Sequence, residues 1–340
     1  MTEIDFVKEI IKTEFLNPLK DFQMDSQIIE RRTDPLTGDK CRINIQRSRR
    51  PKQTEIPENK DVGKKCYFCP KNIDETTPKF SPQLVPEGRI REKDFVLFPN
   101  LFPFGKYHTV GALGEKHSLE LNEFTPEIWK NCLRGCIKFF NIVNEKDPKV
   151  RFPSLNMNYS PFAGASIEHP HVQVVVDELP SEMTDKYFRK SWDYFDKKKS
   201  NFWQDLITQD KERFIGESDS MIWLTKFCPM CNDEIVGIMK GITSSFLEMN
   251  EKQIEDLSDG ISRIFKGLYE RGIRGINLAI YSAPFNEHLG HFFSLNVRIV
   301  SRPSGKAYTS DRGFSEILHE EPIISTIPED LAKDLRKFFE

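Results

Sequence analysis

The chain has 340 residues, 38% hydrophobic and 30% charged, with 27 Phe, enough for one large domain or two ordinary ones around a sizeable core. A formal net charge of −3 argues against a nucleic-acid binder. No apolar run approaches the ~18 residues of a membrane helix, and the opening Met-Thr-Glu-Ile-Asp-Phe is acidic rather than signal-like. A cytoplasmic protein without membrane association is the expectation. The seven cysteines are an odd set, which points to a reducing compartment and to metal ligation, rather than disulfides, for the two C-x-x-C pairs.

In chain order, the apolar stripe Phe6, Ile10, Ile11 and Phe15 predicts an amphipathic helix within residues 1–25. Arg31 to Gly38 has turn chemistry (Asp34-Pro35, Thr37-Gly38) and precedes a strand over Cys41–Ile45. Arg47, Arg49 and Arg50 follow, either a solvated face or guanidinium groups for a phosphate. Cys66-Tyr67-Phe68-Cys69-Pro70 is a knuckle in which two thiolates can converge on one ion; it needs two further ligands, with His108, His117, His169 and His171 as candidates. A strand is predicted at Phe95–Phe98. A helix spans Trp129–Val143, with Cys132 and Cys136 as core thiols.

The stretch from Asn158 to Val176 is the richest in chemistry. A small-residue turn containing Gly164 and Ser166 offers backbone N–H groups suited to a phosphate. It feeds a strand whose alternation puts His169, His171 and Gln173 on one face. Imidazole beside an anion cradle suits phosphoryl or nucleotidyl transfer; the plainer alternative is a pair of hydrogen-bonded core histidines. Residues 178–220 predict a long surface helix with an aromatic stripe, Tyr187, Phe188, Trp192, Tyr194 and Phe195. Beyond it come a strand (Met221–Lys226), Cys228-Pro-Met-Cys231, a helix (Glu251–Glu270) and strands at Gly275–Ser282 and Phe292–Val300. This order repeats that of residues 95–176, which suggests a duplication with halves 1–180 and 181–340. In the second copy Ser294-Leu-Asn296-Val-Arg298 replaces the histidine strand. Cys228 and Cys231 with His288 and His291 offer a second set of metal ligands, the alternative being free thiols.

These motifs resemble those of galactose-1-phosphate uridylyltransferases and the related ADP-sugar phosphorylase-like enzymes of the histidine-triad superfamily. The resemblance is carried by Arg32-x-Asp-Pro-Leu-Thr-Gly38, Gln46-Arg47-Ser-Arg-Arg50-Pro51, Cys66-x-x-Cys69, Asn100, Asn158 eleven residues before His169-Pro170-His171-x-Gln173, and Ala283-Pro-Phe-Asn286. It implies an α+β fold of two tandem histidine-triad-like repeats, each an antiparallel sheet with flanking helices, in a homodimer. It also implies a nucleotidyltransferase acting on nucleotide-sugar and sugar phosphate substrates through a covalent nucleotidyl-histidine at His171. Gln173 and Ser166 would donate to the phosphoryl oxygens. Arg47 and Arg50 match arginines near the phosphates, Asn100 and Asn158 nucleotide-pocket positions, and Tyr67 an aromatic stacked on the base. Cys66, Cys69, His117 and His169 match the structural Zn²⁺ ligands. Leu101 stands where uridylyltransferases carry Asp, which leans towards the ADP-sugar branch. A hydrolase of the same superfamily and a non-enzymatic, zinc-stabilised nucleotide-binding protein are the competing readings.

Overall fold

A computed structural model describes residues 3–49, 66–303 and 311–340; Arg50 lies outside the described residues. The N-terminal segment departs from the helical reading. β1 (Lys8–Asn17) and β2 (Gln23–Thr33) form an antiparallel hairpin, in register from Lys8↔Arg32 to Asn17↔Gln23. The stripe Phe6, Ile10, Ile11, Phe15 has helical spacing, but Ile28 and Ile29 supply cross-strand neighbours for Lys12 and Ile11. The Asn17-Pro18 turn closes with Asp21 and Phe22 at positive φ. Pairing across ten positions outweighs the weak helix preference of a segment rich in β-branched residues.

β3 (Lys40–Ile43) extends this hairpin. The chain then builds α1 (Pro70–Thr76), β4 (Ile90–Glu92), β5 (Phe95–Pro99), β6 (Tyr107–Ala112), α2 (Pro126–Lys146), β7 (Phe152–Tyr159) and β8 (His171–Asp177). Two helices, α3 (Glu182–Lys198) and α4 (Phe202–Gln209), replace the single long one expected. The break falls at Lys199, at φ 54°, and Asn201 caps the new helix by accepting from Trp203 N–H. β9 (Phe214–Glu217), β10 (Met221–Thr225), β11 (Ile235–Met239), α5 (Glu251–Glu270), β12 (Ile276–Tyr281) and β13 (Asn296–Ser301) follow. The chain ends in α6 (Phe314–Leu318), β14 (Ile323–Ile324), which pairs in parallel with β3, and α7 (Pro328–Arg336).

Ten strands form one sheet in the order β4-β5-β6-β8-β7-β12-β13-β11-β10-β9, beside a four-stranded sheet β1-β2-β3-β14. From either edge of the large sheet the path is the same: three consecutive strands, then the fifth before the fourth, with a helix between third and fourth. β7 and β12 join the two copies, with Asn158 opposite Asn277. Side chains repeat too. Phe95 fills the space left by Gly111 and Gly135, where a Cβ would come within 2.5 and 2.4 Å of its ring. Trp223 occupies the same place between Gly237 and Gly260, at 2.7 and 2.3 Å. An aromatic from the second strand is thus clamped between a strand glycine and a helix glycine in each copy.

α2 and α5 meet over one face of the sheet through Trp129 and Phe265, ring centroids 5.6 Å apart, in a core that also buries Cys132 and Cys136 completely. Val172, Val174 and Val176 of β8 belong to that core. His171, Gln173 and Val175 therefore point to the opposite face, which these helices leave open. Among the described residues no helix is long and apolar enough to cross a membrane.

The small sheet is tied to the second copy by charge. Buried Arg32 donates to Glu329 at 2.8 and 2.9 Å and to Glu30, and Arg213 donates to Glu329 at 2.7 Å. Burial raises the Glu329 carboxyl, but these guanidinium groups outweigh it and hold the group at about 2 against an ordinary 4.5. The folded value lies below the unfolded one, so this stabilisation is complete above the ordinary value and is lost as pH falls towards 2. Glu329→Gln should lower stability at neutral pH and flatten this acid limb, measured by urea unfolding across pH. Gly135→Val should cost about 1–3 kcal/mol of unfolding free energy by overpacking against Phe95; unchanged stability would mean that the ring is not confined.

Candidate functional site

The Cys66–Cys69 knuckle ends where α1 begins, with Cys69 preceding Pro70 at the helix start. Asn72 locks the turn by donating to the Cys66 carbonyl at 2.8 Å. His117 comes from the loop after β6 and His169 from the entry to β8. Their ligand atoms and the two sulfurs all lie within 4.8 Å of one another. Cys69 Sγ is 3.5 Å from His117 Nδ1 and 3.8 Å from His169 Nδ1. Metal–sulfur and metal–nitrogen bonds of roughly 2.3 and 2.0–2.1 Å at a tetrahedral angle give a sulfur–nitrogen edge of about 3.6 Å. The four residues therefore fit a tetrahedral metal ion. Burial and the adjacent Cys66 push the Cys69 thiol up. Burial pushes His169 down to about 4, keeping it in the neutral, ligating form. Two neighbouring thiolates are costly here without a cation.

His171 stands next to this group but outside it. Its Nδ1–H donates to the His169 carbonyl oxygen at 2.8 Å, so the lone pair is on Nε2. Burial holds the ring below the usual histidine value, and Phe68 packs edge-on at 5.4 Å. Two residues along β8, Gln173 lines a cleft of about 750 Å³ shared with Phe104, Asn156, Asn158, Asp177 and Tyr281. β-Alternation puts His171, Gln173 and Asn158 on one face of adjacent strands; Gln173 and Asn158 line the cleft, and His171 lies two residues before Gln173.

Asn158 has its orientation set from the second copy. Asn277 accepts from Arg302 at 2.6 Å and donates to Asn158 Oδ1 at 2.7 Å and to the Ala163 carbonyl at 2.8 Å. Arg302 is itself held by both carboxylate oxygens of Asp311. Gly164, at φ 96°, and exposed Ser166 lie in the turn that follows Asn158. The N–H groups of Ala163, Gly164 and Ala165 are spent on the Ser160 and Pro161 carbonyls inside that turn, so these three do not make the expected phosphate cradle. Sequence reading missed Asn277, whose only signal is its place opposite Asn158 in the β7–β12 pairing, and Arg302, which follows β13.

Other positions fall elsewhere. Asn100 follows β5, with its amide nitrogen 3.1 Å from His108 Nε2. Tyr67 is 57% exposed on the knuckle, and Arg47 is exposed in the turn after β3; neither lines the cleft. Cys228 and Cys231 do not meet His288 and His291. The antiparallel register of β11 and β13 puts the cysteine loop at one end of these strands and the histidine loop at the other. Cys228 Sγ lies 3.4 Å from the Arg32 and Asp39 carbonyls. His288 pairs with Glu248 at 2.7 Å, and His291 packs edge-on against Trp192 and Phe195. Among the described residues, Cys66, Cys69, His117 and His169 are the one metal-competent group. At the second copy's equivalent of His171, Asn296 donates to the Ser294 carbonyl at 3.0 Å, the same bond made by an amide in place of an imidazole. Arg298 fills the Gln173 position, bound to Glu234 and to the Tyr187 hydroxyl.

No family model matches the chain. It is 28% identical over 348 residues to an uncharacterized protein of Archaeoglobus fulgidus, covering 99% of both. It is 24% identical over 307 residues to galactose-1-phosphate uridylyltransferase of Schizosaccharomyces pombe, covering 76% of this chain and 83% of that one. The chain is similar over most of its length to galactose-1-phosphate uridylyltransferases. Its fold is also that of an ADP-glucose phosphorylase from Arabidopsis thaliana, solved with bound ADP-glucose: TM-score 0.75, 20% identity, covering 91% of this chain and 98% of that one. The α+β architecture with antiparallel sheets and flanking helices is that of these uridylyltransferase-like proteins.

Cys69→Ser should abolish stoichiometric metal binding measured by elemental analysis and lower the thermal midpoint, whereas His171→Asn should keep the metal. Full metal content in the Cys69 variant would rule out the tetrahedral assignment.

Proposed function

We propose that this protein transfers a nucleoside monophosphate between a nucleotide-sugar and a phosphorylated acceptor, through a covalent intermediate on His171. The observation that carries this reading is the bond from His171 Nδ1–H to the His169 carbonyl, which leaves Nε2 as a neutral nucleophile beside the cleft. Nε2 attacks the α-phosphorus; a P–N bond forms as the bond to the leaving oxygen breaks, and sugar 1-phosphate departs with that electron pair. An oxygen of the second phosphate then attacks the same phosphorus and releases the imidazole. Gln173, with Asn158 alongside, supplies hydrogen bonds to the phosphoryl oxygens as their charge redistributes. Ser166 and Gly164 border that position in the turn; Arg47, Arg50, Tyr67 and Asn100 are assigned to substrate through the family motifs they match.

Further parts of the reading have their own support. Zn²⁺ suits the Cys₂His₂ donor set and its spacing; when bound it would fix His169 and so the carbonyl that orients His171. A homodimer is supported by the hairpin, which exposes Ile10, Leu16, Met24 and Ile28 along one face and Leu19 and Phe22 near its tip. A reducing, cytoplasmic setting accords with seven free thiols. Halves 1–180 and 181–340 are read as an active and a degenerate copy, on the repeated strand order and the replacement of His171 by Asn296. Uridylyl transfer is the first assignment. Adenylyl transfer to phosphate is the second, favoured by Leu101, an exposed apolar residue beside Asn100 where ribose recognition would call for a carboxylate.

His171→Ala should reduce transfer from UDP-glucose or ADP-glucose on the order of 10⁶-fold, as for removal of a covalent nucleophile, with metal content unchanged. The wild-type protein should show ping-pong initial-rate kinetics. A His171→Ala protein that retains its turnover would refute the assignment.

A further inference from the structure

His108 belongs neither to the metal group nor to the chemistry assigned above, yet it is only 4% exposed and sits against Gln173. β6 pairs with β8 so that Val110 faces Gln173 and His108 faces Val175. His108 therefore shares the cleft face of the sheet with Gln173 and His171. Three polar groups surround its ring. The backbone N–H of Phe104 lies 3.3 Å from Nδ1. Gln173 Oε1 and Asn100 Nδ2 lie 2.8 and 3.1 Å from Nε2.

These neighbours select a tautomer. A backbone N–H has no second orientation, so Nδ1 accepts and the proton resides on Nε2. Nε2–H then donates to Gln173 Oε1, the shorter of the two contacts. Asn100 cannot exchange its amide atoms to join in, because its carbonyl oxygen already accepts from Phe102 N–H at 2.9 Å. The opposite tautomer would set two contacts in conflict instead of one, Nδ1–H against Phe104 N–H and a lone pair against the Gln173 oxygen. Burial holds His108 below its ordinary value, so the ring is neutral at neutral pH. The Phe104 ring, 4.0 Å away between centroids, covers one side of it.

We infer that His108 is a positioning residue for nucleotidyl transfer: it pins the carbonyl oxygen of Gln173 towards the sheet, so that both amide N–H groups of Gln173 face the cleft. A carboxamide has nearly equal shape in its two orientations, and only a donor at its oxygen tells them apart. Turned the wrong way, Gln173 would present a carbonyl oxygen to phosphoryl oxygens, which repel it. The inference rests on the His171 transfer reading for its catalytic consequence, but its geometric content stands apart from that reading.

The test pairs a spectrum with a mutant cycle. In protein labelled with ¹⁵N-histidine and kept at neutral pH, His108 should show a protonated Nε2 and an unprotonated Nδ1; the reverse tautomer overturns the inference whatever the protein turns over. His108→Phe keeps the ring but removes the donor, and should lower kcat roughly 10- to 100-fold with little change in KM and full metal content. His108→Gln, whose amide nitrogen can reach the place of Nε2, should restore most of that loss. In a Gln173→Ala background, His108→Phe should have almost no further effect. An equal penalty with and without Gln173, or wild-type kcat in His108→Phe, contradicts the positioning role. Should His108→Phe fail to fold, the tautomer and the His108→Gln kinetics decide alone. Absence of transfer in the wild-type protein would sink the His171 reading instead, and the tautomer would still test His108.

Discussion

The site depends on one short hydrogen bond, from His171 Nδ1–H to the carbonyl oxygen of His169. It links two tasks carried by residues two apart, His169 at the entry to β8 and His171 as its first residue. The side chain of His169 faces the sulfur ligands, while its carbonyl dictates which nitrogen of His171 keeps the proton. A neutral imidazole with a free Nε2 is the product of that arrangement, and burial supports it by disfavouring the imidazolium. Proline at position 170 suits this tight sequence, because it fixes its own φ and restricts ψ of His169, the torsions on either side of the peptide that carries the carbonyl.

The second copy keeps the frame of the first without its histidines. The strand order, the clamped aromatic and even the side-chain-to-carbonyl bond two residues back are kept, through Trp223 and Asn296. What has changed is polarity and access: Asn296 is fully buried, and Arg298 is tied to Glu234 and Tyr187. The second copy nevertheless acts on the first across β7 and β12, where Asn277, held by Arg302 from beyond the end of β13, determines which way Asn158 points. Paired amides need such fixed partners, since an unanchored carboxamide offers donor and acceptor alike.

Much of this was legible in the sequence because strand alternation is a strict period. His171 and Gln173 could be placed on one face, although His169 falls before the strand, and α2, α5 and the β10, β12 and β13 strands could be located, from local pattern alone. The spacing of Cys66 and Cys69 pointed to metal. Where the reading failed, non-local pairing was the cause. Residues 8–17 carry a helical stripe, but their conformation is decided by residues 23–32. The break at Lys199 depends on a left-handed residue without glycine. Cys228 and Cys231 were associated with His288 and His291 by plausible spacing, and only the register of β11 and β13 shows that they lie at opposite strand ends. His108 was visible as a possible ligand; its bond to Gln173 appears only once β6 lies beside β8.

The central claim is that His171 Nε2 is free of metal and bonds to phosphorus during turnover. Rapid acid-free quenching after brief exposure to UDP-glucose or ADP-glucose, followed by tandem mass spectrometry of the peptides, tests it most directly. The account predicts one nucleoside monophosphate on the peptide containing His171, removed when sugar 1-phosphate or phosphate is added. Turnover that leaves that peptide unmodified, or an adduct on another residue, would contradict it.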